Sequence, residues 1–379
     1  MNQDFGHPQD GHFEIVVSDN CSTDDIRGVV AQFPNGSIRY ERTDQYVSMC
    51  ESWEFALTKA RGQYIGVLCT DDGYLPNLLS TMARIIKSSK VSCISFQHAL
   101  YLWPSFFDKE RSGMLFVPKH IFKDGIRDSH ELVEQAFTTM DYSKLPCLLN
   151  SFCSAEVFDE IRLRDGKIFR SYCPDVYSGF LIARTVSSLY VTGQLLGIAG
   201  SSGGSNGATF AKNPLSKESQ EFLKMHHGEK LFSGEIEMDY PFVSMYILDS
   251  AMKAFKITGE KEPLNRVNYS AYVMACFAEA TGIKDSERQA IALKAIENFI
   301  AHQDAKLQAQ MKWRIREQKV KRIIRKNLGL KGIRLLQRTA HVLGLTSGKL
   351  EPRQFSPDVT HAETIYDASL FVNNLLNSK

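Results

Sequence analysis

Two short apolar runs, each breaking into acidic side chains, constrain this chain more than any other feature. Phe13-Glu14-Ile15-Val16-Val17 is rich in β-branched residues and ends in Ser18-Asp19-Asn20-Cys21-Ser22-Thr23-Asp24-Asp25. Tyr64-Ile65-Gly66-Val67-Leu68 is almost wholly apolar and breaks at Thr70-Asp71-Asp72-Gly73. Both read as strands, and the second lacks a polar face, as strands buried on both sides of a parallel sheet do. Ile38 to Tyr40 and Val91 to Phe96 predict two more strands. Between them, Val47 to Ala60 carries Trp53, Phe55, Ala56 and Leu57 near one helical face, and Pro76 opens a further helix through about Ser88. Ser22 or Thr23 is expected to cap a helix after the first acidic cluster. Strands alternating with helices predict an open α/β sheet.

The pattern loosens from Lys109 to Gly207, which closes on the loop Gly200-Ser201-Ser202-Gly203-Gly204-Ser205-Asn206-Gly207. Three helical stretches follow, Tyr240 to Phe255, Asn265 to Thr281 and Asp285 to Ala301. Lys312 to Arg338 then holds eleven Lys/Arg against one Glu. The expected organisation is an α/β domain over 1–212, a helical domain over 213–305, a basic amphipathic segment over 306–345 and a tail over 346–379.

Composition narrows the function classes. Across 379 residues, 45 basic and 43 acidic side chains leave a net charge of only +2, so no overall field marks a nucleic-acid binder. The eight cysteines show no CxxC spacing, which argues against a zinc site. Met1 to His12 is polar and has no signal-peptide core, and no apolar run reaches the ~18 residues of a membrane span. The expectation is a cytoplasmic protein with reduced thiols.

In an open sheet, ligands bind beyond the carboxyl ends of the strands, so Asp19, Asp71 and Asp72 are expected to converge on one crevice. Adjacent carboxylates stay ionised together only beside a cation or strong donors. Oxygen ligands alone suit Mg²⁺ or Mn²⁺. Taken singly, Asp-Asp-Gly is also an ordinary turn and Ser-Thr-Asp-Asp an ordinary helix start.

These residues resemble family 2 glycosyltransferases of the GT-A fold. Glu14 to Asp25 is similar to that family's second strand and its Asp-Asp-Gly-Ser, Thr-Asp turn. Trp53 to Gly62 looks like the helix before the metal-site strand, and Tyr64 to Pro76 like that strand with its Asp-x-Asp-type motif. Cys173-Pro-Asp-Val-Tyr-Ser-Gly179 is similar to the segment bearing an acceptor-side carboxylate. The resemblance covers about 13–207. It implies a Rossmann-like open mixed sheet with a C-terminal helical region. Asp19 would contact the nucleotide base, Asp71 the ribose or metal, Asp72 the Mg²⁺ or Mn²⁺, and Asp175 would be the general base. The implied activity is inverting transfer from a nucleotide-sugar to a cell-surface glycan or lipid-linked acceptor.

Two departures from the family pattern matter. Cys69 and Thr70 are uncharged where many members carry an acid, which leaves fewer ligands. Only twelve residues precede Phe13, so the family's opening strand, Pro-Thr-Tyr-Asn-like turn and helix are expected to be absent here, through a truncated start or with another segment in their place. That strand is central in the family, and its loss is expected to leave backbone groups unpaired unless another segment fills the place. The alternative is therefore a catalytically impaired remnant serving as a binding or scaffold subunit. A sugar nucleotidyltransferase would need a Gly-rich, Arg/Lys-bearing loop after its opening strand, and none is visible.

Lesser signals have bland accounts. The 200–207 loop could cradle phosphate or be a linker. His98 could ligate a metal or simply pack, and Trp103 could stack on a sugar or sit at the rim of the core. Val320, Ile323, Ile324 and Leu328 among basic neighbours, with Trp313 near the start, form a basic amphipathic pattern suited to an anionic membrane surface or to packing on an acidic protein face. No nucleic acid is expected.

Overall fold

The computed structural model describes residues 3–4, 12–33, 38–119, 123–225, 231–320 and 352–378. Most of the basic segment predicted over Lys312 to Arg338 lies outside the described residues.

Ten strands occur among the described residues. They are β1 (Ile15–Asp19), β2 (Ile38–Arg42), β3 (Tyr64–Ile65), β4 (Gly73–Tyr74), β5 (Cys93–Leu102), β6 (Leu115–Val117), β7 (Gly125–Asp128), β8 (Ser151–Ser154), β9 (Ser188–Ser201) and β10 (Arg353–Phe355). They form two sheets, not one. β1 and β2 pair in parallel as a two-stranded sheet, and the other eight strands form a mixed sheet. β5 and β9 run parallel at its centre. The far edge of β5 takes β8 and then β6, whereas the far edge of β9 takes β7 and then β4, all antiparallel. The protein is thus α/β, with an open mixed sheet and a helical C-terminal region.

The strand predicted over Tyr64 to Leu68 shortens to Tyr64–Ile65, which pairs antiparallel with β8 and not within a parallel sheet. The physical reason is a missing neighbour. Among the described residues β1 bonds only β2, and its other edge and the Gly66–Leu68 stretch both border a cavity, with Leu68 half exposed. The helices Met49–Lys59 and Leu78–Ser89 contribute to the same cavity wall. Ser48 and Glu51 start the first of these with a reciprocal capping box, satisfying two otherwise orphaned amides.

The segment that looked loose is regular. Helices Ser129–Thr139, Ala155–Asp165 and Pro174–Thr185 alternate with β7, β8 and β9. Phe137, Phe180 and Phe255 meet edge-on where these helices pack against Val243–Ile257, with ring centres 4.8 and 5.7 Å apart. Helices Tyr269–Gly282 and Ser286–Ala301 extend that core. The tail also folds: β10 joins β6, and helix Ile365–Asn377 buries Ala368 and Val372 against Tyr101, Leu115 and Ile198.

Two smaller expectations change. Asp25, not Ser22 or Thr23, caps helix Ile26–Ala31, accepting from the Gly28 amide at 2.9 Å. The cysteines are not all free thiols. Cys93 and Cys153 stand directly opposite each other on β5 and β8, 4.3 Å apart at Cα, and are joined as a disulfide. Among the described residues no helix is long and apolar enough to cross a membrane.

Candidate active site

A cavity of about 3360 Å³ opens beside the ends of β3 and β9, and Asp71, Asp72 and Asp175 all line it. Asp71 and Asp72 lie in the turn leading into β4. Because β4 runs beside β9 with Gly73 opposite Ile198, this turn comes to rest against Gly200. The Gly200 amide donates to Asp72 Oδ1 at 2.7 Å. The Ser205 hydroxyl donates to Asp71 Oδ2, and Trp103 Nε1 donates to the Asp71 carbonyl at 3.0 Å. Trp103 is therefore a brace for the acidic turn, which supports the rim reading of that side chain over a sugar platform.

Asp175 occupies the first turn of helix Pro174–Thr185, after Pro174, whose missing amide costs nothing there. Burial raises its carboxyl above the usual range, partly offset by bonds from its own amide and that of Val176. Burial also pushes Asp72 up to about 6, with the Gly200 amide opposing and the charges of Asp71 and Asp175 adding to the rise. The Cys69 thiol is raised by burial and then by Asp72, Asp71 and Asp175. A thiol so raised stays neutral and is a poor ligand.

Asp19 is the exception. It is 3% exposed, and it does not line the cavity, although Ser18 does. Its Oδ1 accepts the Ser22 amide at 2.7 Å, and its Oδ2 accepts the Tyr40 hydroxyl at 2.5 Å and the Arg42 guanidinium. Burial works to raise this carboxyl, but the bonds from Tyr40, Ser22 and Arg42 hold it below its ordinary range. The structure thus brings Asp71, Asp72 and Asp175 together and leaves Asp19 outside, with both carboxylate oxygens engaged across β1 and β2.

His98 is half-buried, with its ring edge-on to Phe96 at 5.2 Å and a bond to the Leu149 backbone. Desolvation lowers it to about 4, which suits a packed neutral imidazole. Gly200 and Ser205 went unrecognised as site residues in the sequence. The signal was there only as a Gly/Ser loop, whose partners depend on strand register.

No cluster of three or more His, Cys, Asp or Glu able to hold a metal ion occurs among the described residues. Asp71 and Asp72 each have one oxygen held by a donor of β9 or its following loop. Among the bonds described, Asp71 Oδ1 has no partner, and the Asp72 carboxyl accepts a backbone bond from Cys69 besides that from Gly200. Two adjacent carboxylates, hard oxygen donors, fit a divalent cation that takes its remaining ligands from diphosphate and water.

Residues 2–144 match the model of the family described as Glycosyl transferase family 2. That stretch takes in Asp19, Asp71 and Asp72 and covers somewhat over a third of the chain. Solved structures similar to the chain include S. aureus TarS 1–349 in complex with UDP-GlcNAc, at 14% identity over 83% of this chain and 85% of that one, with a TM-score of 0.42. The complex of the same protein with UDP gives 15% identity, 83% and 85% coverage and a TM-score of 0.42. S. aureus TarS itself gives 14% identity over 82% of this chain and 50% of that one, at 0.41. No curated protein matches the chain.

Proposed function

We propose that the chain is an inverting glycosyltransferase that moves a sugar from a nucleotide-sugar donor, with Mg²⁺ or Mn²⁺, to a glycan or lipid-linked acceptor. The observation that carries this reading is the meeting of Asp71, Asp72 and Asp175 in one large cavity at the strand ends. Asp72 would hold the cation, and Asp71 the cation or the ribose. When bound, the cation would neutralise charge on the leaving diphosphate, a contribution of several kcal/mol. Asp175 would accept the proton of the acceptor hydroxyl. Its raised pKa makes it a stronger base than an exposed aspartate, and such a base adds roughly 10²–10⁴-fold. Asp19 enters this reading as a positioning residue, holding Arg42 and Tyr40 at the end of the β1–β2 sheet.

The acceptor class rests on less. Trp313 is 63% exposed on the helical stretch 305–320, where Met311 is buried in the core, so an aromatic side chain is presented outward beside basic neighbours. That arrangement supports docking at an anionic membrane face, where a lipid-linked acceptor resides.

A second reading, a non-catalytic binding subunit, draws support from the unjoined β1–β2 sheet. Hydrolysis of UDP-N-acetylglucosamine and a panel of other nucleotide-sugars with Mn²⁺ separates the two. The enzyme reading expects turnover in the wild type and loss of about 10³-fold in Asp72→Ala. Equal rates in both proteins select the non-catalytic subunit.

A further inference from the structure

The loop that follows β9 is fitted to the acidic turn at several points. A Cβ at Gly200 would run into the Asp71 carbonyl, so only glycine lets β9 approach closely enough to bond Asp72. Gly203 seats against Ser105, whose carbonyl lies 2.5 Å from where a Cβ would be and whose hydroxyl accepts the Gly203 amide at 3.1 Å.

Ser205 is the informative member. It occupies the N-cap of helix Asn206–Lys212, where a serine hydroxyl ordinarily accepts an amide of the first turn. Here it makes no such cap. Its Oγ accepts the Ser202 amide at 2.7 Å and donates to Asp71 Oδ2. The capping interaction is given up for the acid, so the local helix gains nothing from this side-chain orientation. Phe210 of the same helix meets Tyr246 edge-on at 5.1 Å, which ties the loop to the helical region.

We propose that the Gly200–Ser205 loop aims the acidic turn, with Ser205 a positioning residue that fixes one oxygen of Asp71 so that the other faces the cation and diphosphate. This inference rests on the reading of Asp71 and Asp72 as the cation and diphosphate end of the site. Ser205 touches neither the reacting carbon nor the acceptor. It acts through Asp71, so its loss weakens cation binding without removing the base at Asp175. A threonine retains the hydroxyl and should retain the effect.

The test is Mn²⁺ binding in the presence of UDP, read by the electron paramagnetic resonance signal of free Mn²⁺ on the full chain. Wild type, Ser205→Ala and Ser205→Thr are compared, with thermal midpoints confirming that each is folded. The expected result is about tenfold weaker Mn²⁺ binding in Ser205→Ala and near-wild-type binding in Ser205→Thr, with UDP binding in EDTA equal in all three. Ser205→Ala binding Mn²⁺ as tightly as wild type overturns the proposal while leaving the site intact. Loss of UDP binding in EDTA in Ser205→Ala also overturns it, because the role would then be general to the pocket. A wild type that binds no Mn²⁺ with UDP overturns the underlying reading of the acids and the proposal with it.

Discussion

The β1–β2 pair and the eight-stranded sheet place acids at the end of a strand or in the turn entering one, and use them in opposite ways. At the end of β1, Asp19 has both carboxylate oxygens engaged within the protein. Ser22, Tyr40 and Arg42 occupy its oxygens, and the ion pair ties two strands that have no third neighbour among the described residues. In the turn before β4, a long central strand already supplies the stability, and its backbone and following loop pin one oxygen each of Asp71 and Asp72. A well-supported sheet can leave charge available for chemistry, whereas a thin one uses its charge to hold itself together.

The sharpest way to break this contrast is mutation of the base. Asp175→Asn should lower kcat by 10²–10⁴-fold with UDP and Mn²⁺ binding preserved, measured by single-turnover transfer and titration. Loss of binding together with kcat would show that Asp175 belongs to the donor pocket. The next effect concerns the sheets themselves. Amides of β1 should exchange with solvent on the order of 100-fold faster than those of β5 and β9, because low contact density permits local opening. Equal protection would mean that the free edge of β1 is covered in solution.

His98 sharpens the comparison from within the large sheet. Its pKa is depressed to about 4 in the folded protein against about 6.5 unfolded, so the unfolded chain binds more protons between those values. Stability therefore falls as pH drops through this window. At pH 5 the loss from this group should be roughly 2 kcal/mol relative to pH 8. His98→Gln should flatten that part of the curve in thermal melts at the two pH values. An unchanged slope would assign the acid lability elsewhere. The smallest expected effect is Asp19→Asn, costing about 1–2 kcal/mol in the β1–β2 sheet through the lost partner of Arg42 and Tyr40. It should speed exchange of β1 and β2 while leaving the melting of the eight-stranded sheet in place.

Much of the large sheet was legible because its elements carry local signals. Helices Met49–Lys59, Leu78–Ser89 and Ser286–Ala301 fall within two residues of their predicted bounds, since caps and apolar spacing act over a few residues. Asp71, Asp72 and Asp175 could be singled out for the same reason: each sits in a turn or helix start with its own pattern. What lay beyond reach depended on register. That Gly200 meets Asp72, or that Ser205 turns from its own helix to Asp71, follows from the pairing of β4 with β9 across more than a hundred residues. The partners of Asp19 were equally out of reach, because Tyr40 and Arg42 meet it only through the parallel pairing of β1 with β2, Arg42 lying 23 residues away. The tail was readable in principle: Ala368, Phe371, Val372 and Leu375 follow helical spacing.

The account stands most directly on a crystal structure grown with UDP and Mn²⁺, using anomalous scattering to locate the metal. A peak should appear against the Asp72 carboxylate and the diphosphate, with the Gly200 amide still on Asp72 Oδ1 and Asp19 still paired with Arg42. A peak beside Asp19, or UDP bound with no metal near Asp71 and Asp72, would contradict it.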